Sequence, residues 1–279
     1  MTAAATPPNP YPGLRAFEPD ESSCFFGRER ETDDLRRRLR VNRFLAVVGA
    51  SGSGKSSLVR CGLVPSLHAG FMSGAGSRWR VAIFRPGQDP IGNLADALSA
   101  PGVLGNDGSV GHAGNDMPPQ GLPLEVGLRD SSRGLAAAVR QAALPAGDNL
   151  LLVVDQFEEL FRFRRRSGPH TDDEATAFVK LLIEAAHASG GRDAAGTSGA
   201  TPIYVVLTMR SEFIGECMAF HGLPEAINAG QYLVPGLTRD ALRAAITGPA
   251  AVQGVVVAPR LLVRLLNEVS ELGDSSGGS

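Results

Sequence analysis

RFLAVVGASGSGKSSLVR, residues 43–60, decides the fold. It opens as a short, uninterrupted apolar run, the pattern of a strand buried on both faces. It closes in a stretch with helical character that begins at the lysine. Between the two, Gly49-Ala50-Ser51-Gly52-Ser53-Gly54-Lys55-Ser56 fits the Walker A pattern G-x-x-x-x-G-K-[S/T]. Glycines let such a loop turn its backbone N–H groups inward onto phosphate oxygens, and the helix N-terminus adds partial positive charge. Lys55 is placed to reach the β- and γ-phosphates, the Ser56 hydroxyl to ligate Mg²⁺, and Ser57 to bond the α-phosphate. Gly49, Gly52, Ser53 and Gly54 form the cradle itself. The plain alternative is a Gly/Ser turn between strand and helix. Composition argues against it: of 27 basic residues only Lys55 and Lys180 are lysine, and one of them sits where the phosphate motif demands it.

A phosphate-bound Mg²⁺ needs an acidic partner. Leu150-Leu-Leu-Val-Val-Asp155 is an apolar run ending in a carboxylate, a Walker B element at a strand end. The next position is Gln156, where a water-polarising carboxylate is usual in P-loop ATPases; an amide orients a water but takes no proton from it. Glu158 and Glu159 follow closely, and the sequence leaves open whether either reaches back or both are first-turn helix acids. Slow hydrolysis is the expectation, and turnover well above one per second would count against it.

Around these motifs the chain reads as strands alternating with helices. Further strands are expected at 79–87, 149–157, 202–210 and 231–236, and helices at 28–41, 134–144, from 238 and from 259 to about 269. This predicts an α/β domain with a parallel sheet covered on both faces and its ligand beyond the C-terminal strand ends. Residues 1–13 read as a disordered Pro-rich arm, 14–236 as the core with a mobile insertion at 100–121, 237–270 as the start of a helical lid, and 271–279 as a flexible tail. At 279 residues the length suits one such domain with tails.

A formal net charge of −2 gives no general attraction for a polyanion, so nucleic acid is a disfavoured partner. No apolar run approaches the ~18 residues of a membrane span, and the first residues lack a signal-peptide pattern. Three sparse cysteines suit a reducing compartment, so the expected location is cytoplasmic. The basic run at Arg162 and Arg164–Arg166 reads as a solvated helix face, with a partner contact as the alternative.

Three more stretches complete a pattern. Phe25-Phe26-Gly27-Arg28-Glu29-Arg30-Glu31 fits hhGRExE upstream of the cradle, VVLTMR ends in Arg210, and LTRDALRAAITGPA follows the last strand. Together with NPYPGLRAFEPDESSCFFGRE and VVDQFEELF, these resemble the STAND NTPases, most closely the bacterial novel STAND type one subgroup, over roughly residues 9–270. The resemblance implies a doubly wound, mainly parallel five-stranded P-loop sheet of order 5-1-4-3-2 leading into a helical lid. It implies that Phe26 packs near adenine, that Gly27 allows close backbone approach and that Arg28 fixes the loop. Arg210 falls at the family's sensor position, contacting the γ-phosphate. It also implies ATP and ADP as ligands with Mg²⁺, and protein partners or self-association through effector and sensor domains not seen in this chain. Ile246-Thr247-Gly248-Pro249 reads as the connector before the lid, and the chain is expected to be an NTPase module that stops before the family's winged-helix region.

The function so implied is an ATP-binding signal-transduction switch with slow Mg²⁺-dependent hydrolysis, whose nucleotide state controls conformation or oligomerisation. A nucleotide-binding interaction module without turnover, a DNA-associated AAA-like ATPase and a small-molecule kinase stand as the alternatives.

Overall fold

The computed structural model describes residues 9–105, 124–166, 169–188 and 201–275. Residues 1–8 of the expected arm, 106–121 of the insertion, residues 189–200 and residues 276–279 of the tail lie outside the described residues.

The strands are β1 (Phe44–Gly49), β2 (Trp79–Phe84), β3 (Asn149–Val154), β4 (Ile203–Arg210) and β5 (Gln231–Leu233). They pair in the order β2-β3-β4-β1-β5, and every pair is parallel. Read from the other edge this is the expected 5-1-4-3-2.

The sheet is apolar on both faces, as its sequence requires. From β1, Phe44, Ala46 and Val48 enter one core with Leu152, Val154, Val205 and Leu207. Leu45 and Val47 point the other way and join Leu151, Val153, Tyr204 and Val206. That is the period-two alternation of a strand, with both phases apolar because helices cover both sides. Burying each leucine contributes about 1.5–3 kcal/mol, so the three central strands hold the fold.

One face carries α1 (Glu29–Asn42) and a continuous helical stretch of α2 (Lys55–Ser57), a π-helical turn (Leu58–Leu63) and α3 (Val64–His68). Leu35 and Leu39, the i, i+4 pair of α1, are fully buried there. The other face carries α4 (Pro90–Ser99), α6 (Gly134–Gln141), α8 (Pro169–Ala188) and α9 (Leu223–Ala229), with α5 (Leu124–Asp130) and α7 (Glu159–Arg166) alongside. After β5 come α10 (Arg239–Val252) and α11 (Pro259–Ser275). Thr238 caps α10 by accepting from the Ala241 N–H, as the sequence predicts.

Several boundaries differ from the expectation. β2 ends at Phe84, and Gly87-Gln88 turns the chain. β3 ends at Val154 because Gln156 takes a left-handed backbone, φ 55°, which no strand continues through. β5 ends at Leu233, two residues before a proline that brings no N–H. The Gly248-Pro249 stretch lies inside α10 and is no separate connector. α11 runs to Ser275, so residues 271–275 of the expected tail are helical. Residues 100–105 are packed: Val103 is buried in the core, and Pro101 bridges Gly105. Tyr11 of the expected arm is tied to α10, its hydroxyl donating to the Ile246 carbonyl at 2.5 Å.

Candidate functional site

β1, β3 and β4 deliver their C-terminal ends to one edge of the sheet, and the site is built there. β1 stops at Gly49, and the loop 50–54 carries the chain to the start of α2. Gly52 and Gly54 have φ 74° and 86°, with open space where a Cβ would stand. Their requirement is therefore conformational and not steric. Lys55 folds back over the loop and donates to the carbonyls of Gly49 (3.0 Å) and Ala50 (2.7 Å). Burial pushes the Lys55 pKa below the ordinary lysine value, while Glu158 and Asp155 act in the opposite sense.

Ser56 lies one residue further on, and its hydroxyl donates to Asp155 Oδ1 at 2.6 Å across 99 residues of sequence. Asp155 is 1% exposed. The Thr208 hydroxyl on β4 also donates to Oδ1, at 2.6 Å, and Arg60 donates to Oδ2 at 2.9 Å. Three donors thus fix one carboxylate at the mouth of the loop. Among the described residues no group of three or more His, Cys, Asp or Glu gathers to form a metal site of its own. A Mg²⁺ shared with phosphates needs only the pair found here, one hydroxyl and one carboxylate.

The two acids left undecided by the sequence are separated by the turn at Gln156. Its N–H donates to Thr208 Oγ1 at 2.9 Å, and its neighbours assign its amide the orientation in which the nitrogen donates to Glu159 Oε1 (3.0 Å) and the oxygen accepts from Arg85 (3.2 Å). Glu159 also accepts the Gly87 N–H at 3.2 Å, so it braces the turn. Glu158 faces the cleft and is 5% exposed. Arg210 stands 3.4 Å from Glu158 Oε1, and Glu158 Oε2 is buried with no hydrogen-bond partner. Arg210 is paired in register with Gly49 and also meets Glu212 at 3.3 Å.

A cleft of about 590 Å³ contains Lys55, Ser56, Gln156, Glu158 and Arg210. A second cleft of about 670 Å³ adjoins it and shares Gly52, Gly54 and Ser57 with it. The second is largely apolar, lined by Phe25, Phe26, Val234, Leu237 and Leu242. Arg28, 8% exposed, ties its walls together by donating to Glu31 (2.9 Å), Pro235 O (2.8 Å) and Ser53 O (3.2 Å). Gly27, at φ 84°, lets α10 come close, since a Cβ there would lie 2.2 Å from the Ala241 carbonyl oxygen. The Phe26 ring packs on Gly248 of α10, where a Cβ would meet it at 2.4 Å. An apolar slot thus opens into a polar, glycine-walled one, the shape and chemistry of a base followed by a polyphosphate.

Thr208, Arg60, Glu18 and Phe17 were not singled out in the sequence. Thr208 is the one polar residue within the buried run of β4, and Arg60 follows Ser56 by one helical turn; both signals were present. The Phe17 N–H donates to Ser57 Oγ at 3.1 Å, a contact over 40 residues that no spacing announces.

Comparison with known proteins bears on this geometry. The family described as Novel STAND NTPase 1 matches residues 10–277. No curated protein matches the chain. Among solved structures, the ORC2 protein of Aeropyrum pernix, in ADPNP–ADP complexes, is similar at 14% identity and a TM-score of 0.49. The likeness covers 81% of this chain and 52% of that one, so the chain spans about half the length of that relative.

Proposed function

The chain belongs to the novel STAND NTPase 1 family, a class of nucleotide-binding and hydrolysing domains, and from that premise we propose that it is an ATP-dependent molecular switch with slow, Mg²⁺-assisted turnover. One observation carries the reading: the contact of Ser56 with Asp155 at 2.6 Å, at the mouth of a loop whose lysine is buried over its own carbonyls. Those two oxygens would hold Mg²⁺. The ion would supply positive charge against the phosphates there.

The residues divide the work. The loop amides from Gly49 to Ser57 hold the polyphosphate, and Lys55 leaves the Gly49 and Ala50 carbonyls to meet the β- and γ-oxygens. Phe26 and the apolar cleft take the adenine, with Gly27 and Arg28 shaping its wall. Glu158, with one free carboxylate oxygen beside the phosphate cleft, takes the proton of the attacking water. Gln156 is committed to Arg85 and Glu159 and orients the turn. Glu159 supports it from behind. Arg210 engages Glu158 and must turn to the γ-phosphate before that carboxylate is released, which makes turnover slow. Because α10 rests directly on Phe26 and on the Gly27 backbone, closure on the base moves α10 and α11 as a lid. Partners, or further copies of the chain, read that movement. Three free thiols fit a cytoplasmic setting.

The test measures ATP affinity and turnover for the wild-type protein and for Lys55→Ala, Asp155→Asn and Glu158→Gln. Lys55→Ala should abolish binding, Asp155→Asn should remove its Mg²⁺ dependence, and Glu158→Gln should bind normally with turnover down at least ~100-fold. Unchanged turnover in Glu158→Gln rejects the assigned base. Binding with no turnover in the wild type favours an interaction module, the reading suggested by Gln156.

A further inference from the structure

The segment that precedes α1 contributes nothing to the phosphate motif, yet it walls the phosphate cleft. Residues 11–17 line it together with Lys55, Ser56, Glu158 and Arg210. This strap is tied at both ends. At one end the Tyr11 hydroxyl donates to Ile246 O of α10 at 2.5 Å. At the other, the Phe17 N–H donates to Ser57 Oγ (3.1 Å), and Glu18 accepts two hydrogen bonds from Arg60 (2.8 and 2.9 Å). The Cys61 thiol adds a bond to the Glu18 carbonyl at 3.0 Å.

One of these ties ends on Ser57, which lines both clefts, and another on Arg60, which touches Asp155. Arg60 uses its second amino group on Asp155 Oδ2. Ser57, by accepting from Phe17, keeps its own proton free to donate to a phosphate oxygen, and the two bonds polarise one another in the same direction. We infer that the strap is the fourth wall of the nucleotide site, and that Phe17 and Glu18 are positioning residues acting through Ser57 on the phosphates and through Arg60 on Asp155.

The sign of the Glu18 effect follows from charge. Asp155 is shared between Arg60 and the metal position. Glu18 draws part of the Arg60 charge onto itself, which leaves Asp155 more attractive to a cation. Without Glu18, the guanidinium falls wholly to Asp155 and competes with Mg²⁺. A strap docked on Arg60 therefore favours the metal-bound nucleotide, and by linkage the metal-bound nucleotide favours the docked strap.

This inference rests on the nucleotide reading of the cleft, and the test separates the two. ADP binding is measured by calorimetry on the full chain with Mg²⁺ and with EDTA, for the wild type, Glu18→Gln, Tyr11→Phe and Lys55→Ala. Amide hydrogen exchange over residues 11–18 is followed with and without Mg²⁺–ADP. Glu18 is half exposed, so Glu18→Gln should weaken Mg²⁺–ADP by about two- to fivefold and leave ADP in EDTA within about 1.5-fold. Tyr11→Phe should weaken binding equally in both conditions. Mg²⁺–ADP should slow exchange at Phe17 by about tenfold or more. Equal affinities for Glu18→Gln and the wild type, an equal loss with and without Mg²⁺, or strap exchange indifferent to the nucleotide each overturns the inference. If Lys55→Ala binds ADP like the wild type, the nucleotide reading itself fails; if Lys55→Ala loses binding while Glu18→Gln does not, only the strap is refuted.

Discussion

Replacing Thr208 by valine tests the centre of the site at the residue that orients its carboxylate. The hydroxyl makes two bonds from a position 1% exposed: it donates to Asp155 Oδ1 at 2.6 Å and accepts from the Gln156 N–H at 2.9 Å. Valine has nearly the same shape, so packing in β4 is kept. What changes is that Asp155 loses one of its three donors and the Gln156 N–H loses its acceptor. A hydrogen bond to a charged group contributes about 1.5–3 kcal/mol, and an orphaned buried donor costs about 1–3 kcal/mol. The two losses share one hydroxyl and overlap, so about 2–4 kcal/mol of unfolding free energy should disappear. Urea denaturation monitored by circular dichroism measures it, with Thr208→Ser as the control that restores the hydroxyl and loses only a methyl. Mg²⁺-dependent ATP affinity should fall in Thr208→Val and recover in Thr208→Ser. A valine variant within about 0.5 kcal/mol of wild type, with an unchanged Mg²⁺ requirement, would refute the claim that Thr208 fixes the carboxylate.

Three further outcomes are expected. Gly27→Ala forces a methyl to within 2.2 Å of the Ala241 carbonyl at φ 84°, so α10 should lose its seat; limited proteolysis should cut between residues 234 and 259 much faster than in wild type. Gln156→Ala removes the amide bridge but not the cleft-facing acid, so turnover should fall by less than about tenfold, against the far larger loss in Glu158→Gln. Burial pushes the Cys61 and Cys217 thiols up to about 12, so both stay protonated and unreactive at pH 8 in the folded protein. Cys24, which lines the apolar cleft, should be the thiol that an alkylating reagent finds, and ATP should slow that labelling; labelling of Cys61 or Cys217 at the same rate contradicts their burial.

The central sheet was legible because its physics is local. Strands such as Leu150–Val154 are apolar at every position, and only burial on both faces allows that. The loop from Gly49 to Ser57 stood out as a motif for a similar reason, since a backbone that is to wrap a polyanion needs its glycines, lysine and serine at fixed spacing. The sheet order was a different kind of knowledge: it came from the family resemblance, and the register of five parallel strands then agreed with it. Residues 100–105 read as mobile because Gly and Pro there promise a loop, while Val103, with Ala100 and Leu104 beside it, supplies the apolar anchor that fixes them.

What stayed hidden was contact between distant segments, and the pair Glu158 and Glu159 shows why. In an ordinary helix start both acids would lie in the first turn and share the helix dipole, and neither would be preferred. The choice is made by Gln156, whose left-handed backbone is held by an N–H bond to Thr208, a residue 52 positions away on another strand. That bond rotates the chain so that Glu158 enters the cleft and Glu159 turns to the Gly87 N–H. The same Thr208 hydroxyl orients Asp155. One β4 hydroxyl therefore sets both the carboxylate that would hold the metal and the carboxylate that would take the proton. Placing a Glu at position 156 would not build a faster site, because its side chain would enter the niche between Arg85 and Glu159 and set a second acid against Glu159. Gln156→Glu should thus lose stability and gain no turnover; a gain in turnover would show that position 156, and not Glu158, faces the attacking water.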